Sequence, residues 1–421
     1  MFCSRKKIAF SSVFLVSLIQ SGVALSGVTF GGRNDAWMSE MSDIIGDKKL
    51  SQIVLPGTHD SGTSGIGGAN GNVAKTQVKT IGEQLSDGIR YFDIRLTENA
   101  HRDCADPSVW WIHHGERDSY RFQDAVTQIK DFVKDPSHKN ELIVLDLQET
   151  VLKYNDGRAL NVLFDYIEKQ LGGPDGYILN KASKNYGLNR PIKDIWAYNK
   201  KSDKKRQIIV LVPEGDLNIS ESGCGARFSK DNFYSRDQYL YGFYREVEDA
   251  NGKKPDIDSA LSQSIATNYN NVDIFNRYRS MQQSGGLTVL NLAPRPSNSW
   301  YATAWANFSG LALYDYANYY VNYPLNVLEK PNCYEGWLGK RLYISYNSVN
   351  MPASLRDTYN TPNIVMIDAY DKWLNWASVY LNGSTWRYQR SGSFVDFIKA
   401  VNQNAYPTNS SSFTYNDGQC L

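Results

Sequence analysis

The chain has 421 residues, 42% hydrophobic and 21% charged, which is enough apolar material to bury a sizeable core. Its 45 Lys and Arg stand against 44 Asp and Glu, a formal net charge of +1 with no long run of either sign. Broad electrostatic capture of nucleic acid or of an anionic bilayer is thereby excluded as the organising function.

At the N-terminus Arg5, Lys6 and Lys7 precede an apolar stretch from Ile8 to Ala24, and small residues follow at Ser26 and Gly27. This is the layout of a secretory signal peptide spanning residues 1–26, cleaved just before Gly27. A transmembrane anchor fits less well, because the stretch is short, is diluted by Ser11, Ser12, Ser17 and Gln20, and lacks a charged stop. The expectation is an exported protein, extracellular or periplasmic, whose residues 27–421 form one domain without a membrane anchor. Cys104, Cys224, Cys333 and Cys420 remain after cleavage, an even number that in an oxidising compartment permits two disulfides in any pairing. Their wide spacing, without paired CxxC motifs, argues against zinc.

Apolar, β-branched runs then recur along the chain: Gln52 to Leu55, Ile89 to Leu96, Val109 to Ile112, Leu142 to Leu147, Gln207 to Val212, Leu287 to Leu292 and Ile364 to Ile367. Near-continuous apolar runs suit parallel strands buried on both faces. Helical patterns fall between or after them, at Thr80 to Asp87, Phe122 to Lys134, Gly157 to Leu171, Asp256 to Gln282, Lys372 to Leu381 and Ser393 to Asn402. The alternation predicts an α/β fold, a (β/α) TIM-type barrel, complete or irregular.

That fold places chemistry at the carboxyl ends of its strands. His59 and Asp60 follow the first run, Asp93 and Arg95 end the second, His113 and His114 follow the third, and Asp368 follows the last. Alternation along a strand sets Asp93 and Arg95 on one face. With only 5 histidines in the chain, two strand-end sites that carry them narrow the search.

These motifs, in order, are LPGTHDSGT at Leu55 to Thr63, GIRYFDIRL at Gly88 to Leu96, HHG at His113 to Gly115 and ELIVLDLQE at Glu141 to Glu149. Over Ser51 to Glu149 the chain resembles the X region of the phosphatidylinositol-specific phospholipases C, with a continuation at Ile364 to Tyr370. The resemblance implies a phospholipid or inositol-containing substrate at a membrane surface. It implies His59 as general base and His114 as general acid, two groups suited to proton transfer near neutrality. It pairs Asp368 with His59 and Asp60 with His114. Arg95 stands where the calcium-dependent members build an oxygen cage, so the resemblance points to the bacterial type with no metal and no cofactor, a guanidinium meeting the phosphate instead.

Further candidates for substrate contact are Asp93, His113, Gln148 and Glu214. In the secreted bacterial enzymes the strands corresponding to Leu142–Glu149 and Gln207–Val212 carry cations near their ends. This chain has Leu147-Gln148 and Pro213-Glu214 there, so the head-group pocket differs. A silent binding module on the same barrel is the alternative to an enzyme. Arg90 reads as structural, and Asp146 and Glu149 read equally as cleft-lining or as partners of strand-end arginines. Aromatic clusters at Tyr234 to Tyr244, Tyr314 to Tyr323 and Trp373 to Trp376 are candidates for a bilayer interface or for core packing.

Overall fold

The computed structural model describes residues 33–67, 74–99, 106–153, 157–172, 176–184, 187–201, 205–218, 226–243, 280–291, 363–367, 370–372, 376–381, 384–389 and 394–402. Eight strands follow one another in a single parallel sheet: β1 (Leu55–Thr58), β2 (Tyr91–Glu98), β5 (Ile143–Val151), β6 (Ile208–Val212), β7 (Tyr234–Ser235), β8 (Leu240–Phe243), β9 (Leu287–Asn291) and β10 (Ile364–Ile367). The sheet order β7-β6-β5-β2-β1-β10-β9-β8 is the chain order wrapped round a cylinder, because β1 pairs on one side with β2 and on the other with β10. Among the described residues no ladder joins β7 to β8; the four-residue helix Arg236–Tyr239 links them at that seam. The fold is a nearly closed TIM-type barrel.

The core follows from the apolar runs. Every residue of β6, and Ile143 through Leu147 of β5, is fully enclosed, as strands must be when helices cover one face and the barrel interior the other. Helix Phe122–Lys134 buries Phe122, Val126, Ile129 and Val133, and helix Gly157–Leu171 buries Leu160, Leu163, Phe164, Ile167 and Leu171, both at helical spacing. Each enclosed Leu, Ile or Phe contributes about 1.5–3 kcal/mol relative to exposure. Helix Ile81–Ser86 starts at a capping box between Thr80 and Glu83 and ends at Gly88, whose φ of 101° and close approach to Val395 exclude a side chain.

Three expectations from sequence need correction. The first strand runs Leu55–Thr58 rather than Gln52 to Leu55, because residues 50–52 form a 3-10 turn and the ladder begins where Leu55 meets Ile364. Gly57 belongs inside that strand: a Cβ there would stand 2.9 Å from Tyr91 and 3.0 Å from Ile364. The run Val109 to Ile112 is not a parallel barrel stave. It forms β3 (Trp110–His114), antiparallel to the outer end of β2 through Leu96↔Ile112 and Glu98↔Trp110, and turns into β4 (Arg117–Arg121). Burial alone does not encode strand direction. Lys372 to Leu381 is no helix either: Trp376–Leu381 forms β11, paired antiparallel with β12 (Ser384–Gln389), and only residues 370–372 make a 3-10 turn. The ignored signal was Asn382-Gly383, a two-residue hairpin sequence between β-prone segments.

Helices at Gly157–Leu171 and Phe394–Asn402 form as expected. The expected signal segment, residues 256–279, Cys104, Cys224, Cys333, Cys420, Asp368 and the Tyr314 to Tyr323 cluster lie outside the described residues.

Candidate active site

The carboxyl ends of β1, β2 and β3 converge on one carboxylate. Thr58 closes β1, and the backbone then turns sharply: the N–H of His59 donates to Ile367 O (3.1 Å) and that of Ser61 to Asp93 O (2.8 Å). Asp60 between them adopts φ 44°, the left-handed region that non-glycine residues seldom occupy outside turns and functional sites. Thr76 and Gln77 brace the turn through the His59 carbonyl, each at 3.1 Å. The Asp60 side chain is thereby driven beneath the mouth, fully buried.

Three cationic or potentially cationic groups meet it there. Arg95 Nε lies 2.7 Å from Asp60 Oδ1, an ion pair rather than an aligned hydrogen bond. His59 Nε2 is 3.4 Å and His114 Nε2 3.3 Å from Asp60 Oδ2. The two imidazoles stand edge to face with centroids 6.4 Å apart. Burial would push the Asp60 carboxyl up, but His59, His114 and Arg95 outweigh it and hold the group below its ordinary range. Asp60 is therefore ionised at neutral pH.

Hydrogen-bond roles separate the two histidines. Arg95 Nη2 lies 3.3 Å from His59 Nε2, and a guanidinium can only donate. In the tautomer with its proton on Nδ1, His59 Nε2 accepts from this guanidinium and carries the lone pair that can receive a proton. At His114, Nδ1 lies 2.8 Å from Ala74 O, which can only accept, and Nε2 lies 3.3 Å from Asp60 Oδ2.

Asp93 forms the back wall. Its carboxylate accepts from the Asp60 N–H (3.2 Å) and stands 4.0 Å from His59 Nε2. The β2–β5 register shifts between Ile94 and Arg95, so Gln148 is an extra residue bulged out of β5. With its amide nitrogen turned inward, Gln148 donates to both Asp93 oxygens, 2.9 Å to Oδ2; the opposite orientation would set oxygen against oxygen. Burial first, then the charge of Asp60, pushes the Asp93 carboxyl up to about 6.

The remaining expected residues divide. His113 is buried beside the cluster, with Nδ1 against Gly115 O at 3.0 Å and no hydrogen-bond partner for Nε2 among the described residues. Glu214 lies past the end of β6, and its described partners are Ser235, Asp237 and Gln238 rather than the histidine cluster. Sequence reading missed Arg236, which pairs with Asp146 through Nε (2.5 Å) and Nη2 (3.2 Å). It also missed Tyr91, whose hydroxyl donates to Asp146 Oδ2 at 2.6 Å. Alternation offered Tyr91, two residues before Asp93; nothing in sequence pointed to Arg236. The donor atoms of His59, Asp60 and Asp93 lie within 4.8 Å of one another, a spacing that a metal ion could also use.

The chain is similar in sequence to proteins of the phosphatidylinositol-specific phospholipase C X-domain family. It is 22% identical over 209 residues to the variant-surface-glycoprotein phospholipase C of Trypanosoma cruzi, covering 43% of this chain and 50% of that protein. It is 40% identical over 80 residues to the 1-phosphatidylinositol phosphodiesterase of Staphylococcus aureus, 19% of this chain and 23% of that one. The chain thus spans half the length or less of these two relatives. A mutant of the phosphatidylinositol-specific phospholipase C from Staphylococcus aureus superposes with a TM-score of 0.50 at 17% identity, covering 90% of this chain and 98% of that chain; this likeness concerns the fold. No protein-family model matches. No helix among the described residues is long and apolar enough to cross a membrane.

Proposed function

We propose that the chain is an exported phosphodiesterase that cleaves phosphatidylinositol, or a lipid with a related head group, into diacylglycerol and a cyclic phosphate. The observation that carries this reading is the pair of imidazoles facing one buried carboxylate, with Arg95 Nη2 beside His59 Nε2. In the first step the head-group hydroxyl next to the phosphate gives its proton to His59 Nε2. Its oxygen attacks phosphorus, the bond from phosphorus to the diacylglycerol oxygen breaks, and His114 Nε2 protonates that oxygen. Water opens the cyclic phosphate with the two histidines in exchanged roles.

Arg95 supplies the fixed positive charge for the non-bridging oxygens. Asp60 stabilises whichever imidazolium exists at each stage, and Asp93, braced by Gln148, supports His59 from behind. Asp368 is proposed as the orienting partner of His59, on the strength of the family pattern alone.

A divalent cation on His59, Asp60 and Asp93 is the competing reading. It would set a dication next to the guanidinium that already lies 2.7 Å from Asp60, which disfavours it. The test is release of cyclic inositol phosphate from phosphatidylinositol vesicles by the purified protein in EDTA. Turnover is expected undiminished; an absolute requirement for added calcium would overturn the role given to Arg95.

A further inference from the structure

Residues 74–77, a stretch outside any helix or strand, touch the supports of both histidines. The Ala74 carbonyl, which can only accept, receives the hydrogen bond of His114 Nδ1 at 2.8 Å and so leaves Nε2 of that ring to exchange a proton. Two residues on, Thr76 Oγ1 reaches the carbonyls of His59 and Asp60, each at 3.1 Å. Gln77 donates from its amide nitrogen to His59 O at 3.1 Å and to Ile367 O at 3.0 Å. Ile367 O also accepts from the His59 N–H, so Gln77 ties the end of β1 to the end of β10. The stretch is itself held by Thr63 Oγ1, which accepts from the N–H groups of Thr76 (3.1 Å) and Gln77 (3.0 Å).

Gln77 gives more than it receives. Its Oε1 is buried with no hydrogen-bond partner among the described residues, and turning the amide over would set that oxygen against two carbonyls. Both carbonyls have a second donor, Thr76 for His59 O and the His59 N–H for Ile367 O, so neither needs Gln77 to be satisfied. What the buried amide adds is a fixed place for the His59 backbone between two strand ends.

We propose that residues 74–77 act as one brace that sets the two imidazoles relative to each other, and that Gln77 is its anchor, a positioning residue for the reaction. This deepens the function proposed above and rests on it. A base and an acid must flank a single phosphate, and a misplacement of about 1 Å can lower a rate about a hundredfold. The Asp60 carboxylate joins the rings through a side chain; the brace joins them through backbone, with three residues between the contact to His114 and the contacts to His59. The residue after Ile367 is Asp368, given above to His59 as its orienting partner, so the tie to β10 bears on that pairing as well.

The experiment uses Gln77→Met, which keeps length and neutrality and removes both donors. On phosphatidylinositol vesicles kcat is expected to fall about thirtyfold with KM within about twofold of native. An NMR pH titration of the 5 histidine rings separates placement from stability. The groups facing His59 are Asp60, Asp93, Arg95 and His114, and the substitution alters none of their charges, so a shifted ring reports a displacement. The titration midpoints of His59 and His114 should both move by about 0.3 unit or more, while His138, stacked on Phe132 at the amino end, keeps its own. Movement of His59 alone would overturn the brace, and so would a native kcat or a lowered kcat with both rings unmoved. Thr76→Val, which removes one donor from His59 O and leaves the Gln77 amide in place, takes over with the same expected outcomes where Gln77→Met does not fold. If the native chain cleaves no phosphatidylinositol, the proposed function fails and the titration alone decides the brace: movement of both rings upholds it, and movement of one or neither overturns it.

Discussion

The two ends of the barrel hold nearly the same set of side chains and use them oppositely. At the amino end Arg90, Glu141, Asp35 and His138 meet beneath β2. Arg90 is fully enclosed and its donors are all spent: Nε and Nη2 on Glu141, Nη1 on the carbonyls of Leu85 and Ile89, and Nη2 also on Asp35 O. His138 stacks on Phe132 with centroids 3.9 Å apart and bonds through both nitrogens, to Phe132 O and to Asp35. At the carboxyl end His59, His114 and Arg95 are 16% to 22% exposed, and the Asp60 oxygens make ion pairs without an aligned hydrogen bond among the described residues. A satisfied network is a fastener; a crowded, half-open one with unmet hydrogen-bonding capacity is available to a substrate. Residue type does not distinguish the two ends, and completeness of bonding does.

Substitutions should therefore separate activity from stability according to the end they touch. The largest effect is expected at the mouth: His59→Ala or His114→Ala should lower turnover of phosphatidylinositol about a thousandfold while the denaturation midpoint barely moves. A comparable loss of stability would make the mouth a fastener too. Arg95→Met should cost about a hundredfold or more in kcat, measured in the same vesicle assay, and a variant that keeps its rate would remove the guanidinium from the mechanism.

The floor should behave in reverse. Glu141→Gln leaves the buried Arg90 without its counter-charge and is expected to cost about 3–5 kcal/mol by denaturant titration, with kcat per folded molecule unchanged. The smallest effect sharpens the contrast through pH. Folding raises the Asp93 carboxyl from 3.8 to about 6, so between those values the folded state binds more protons than the unfolded, and stability falls as pH rises through that window. Asp93→Asn should consequently stabilise the fold by up to about 3 kcal/mol at pH 8 and by nothing near pH 3.5, while lowering turnover. Equal stability of the two proteins at both pH values would mean that the burial cost is absent.

Much of this was legible in one dimension. The strands Ile208–Val212 and Ile364–Ile367 are unbroken apolar runs, and parallel staves covered on both faces permit nothing else. His59 and His114 were recognisable because each sits at or just past a strand end in a distinctive motif, and Asp93 and Arg95, which lie inside β2, because strand alternation sets them on one face. The direction of β3 was not legible, since antiparallel and parallel pairing bury the same residues. Gln148 was expected as a head-group contact, but only the register shift against β2 turns it onto Asp93.

Sequence alone determined which residue types reach the mouth, because periodicity and local turn chemistry act over a few neighbouring positions. Tertiary structure decided which of them share a partner. One Asp60 carboxylate collects His59, Arg95 and His114, and Asp146 collects Tyr91 and Arg236 from 55 and 90 positions away. Closing a sheet into a cylinder brings distant strand ends within hydrogen-bond reach, and no local pattern carries information about a partner that only closure supplies.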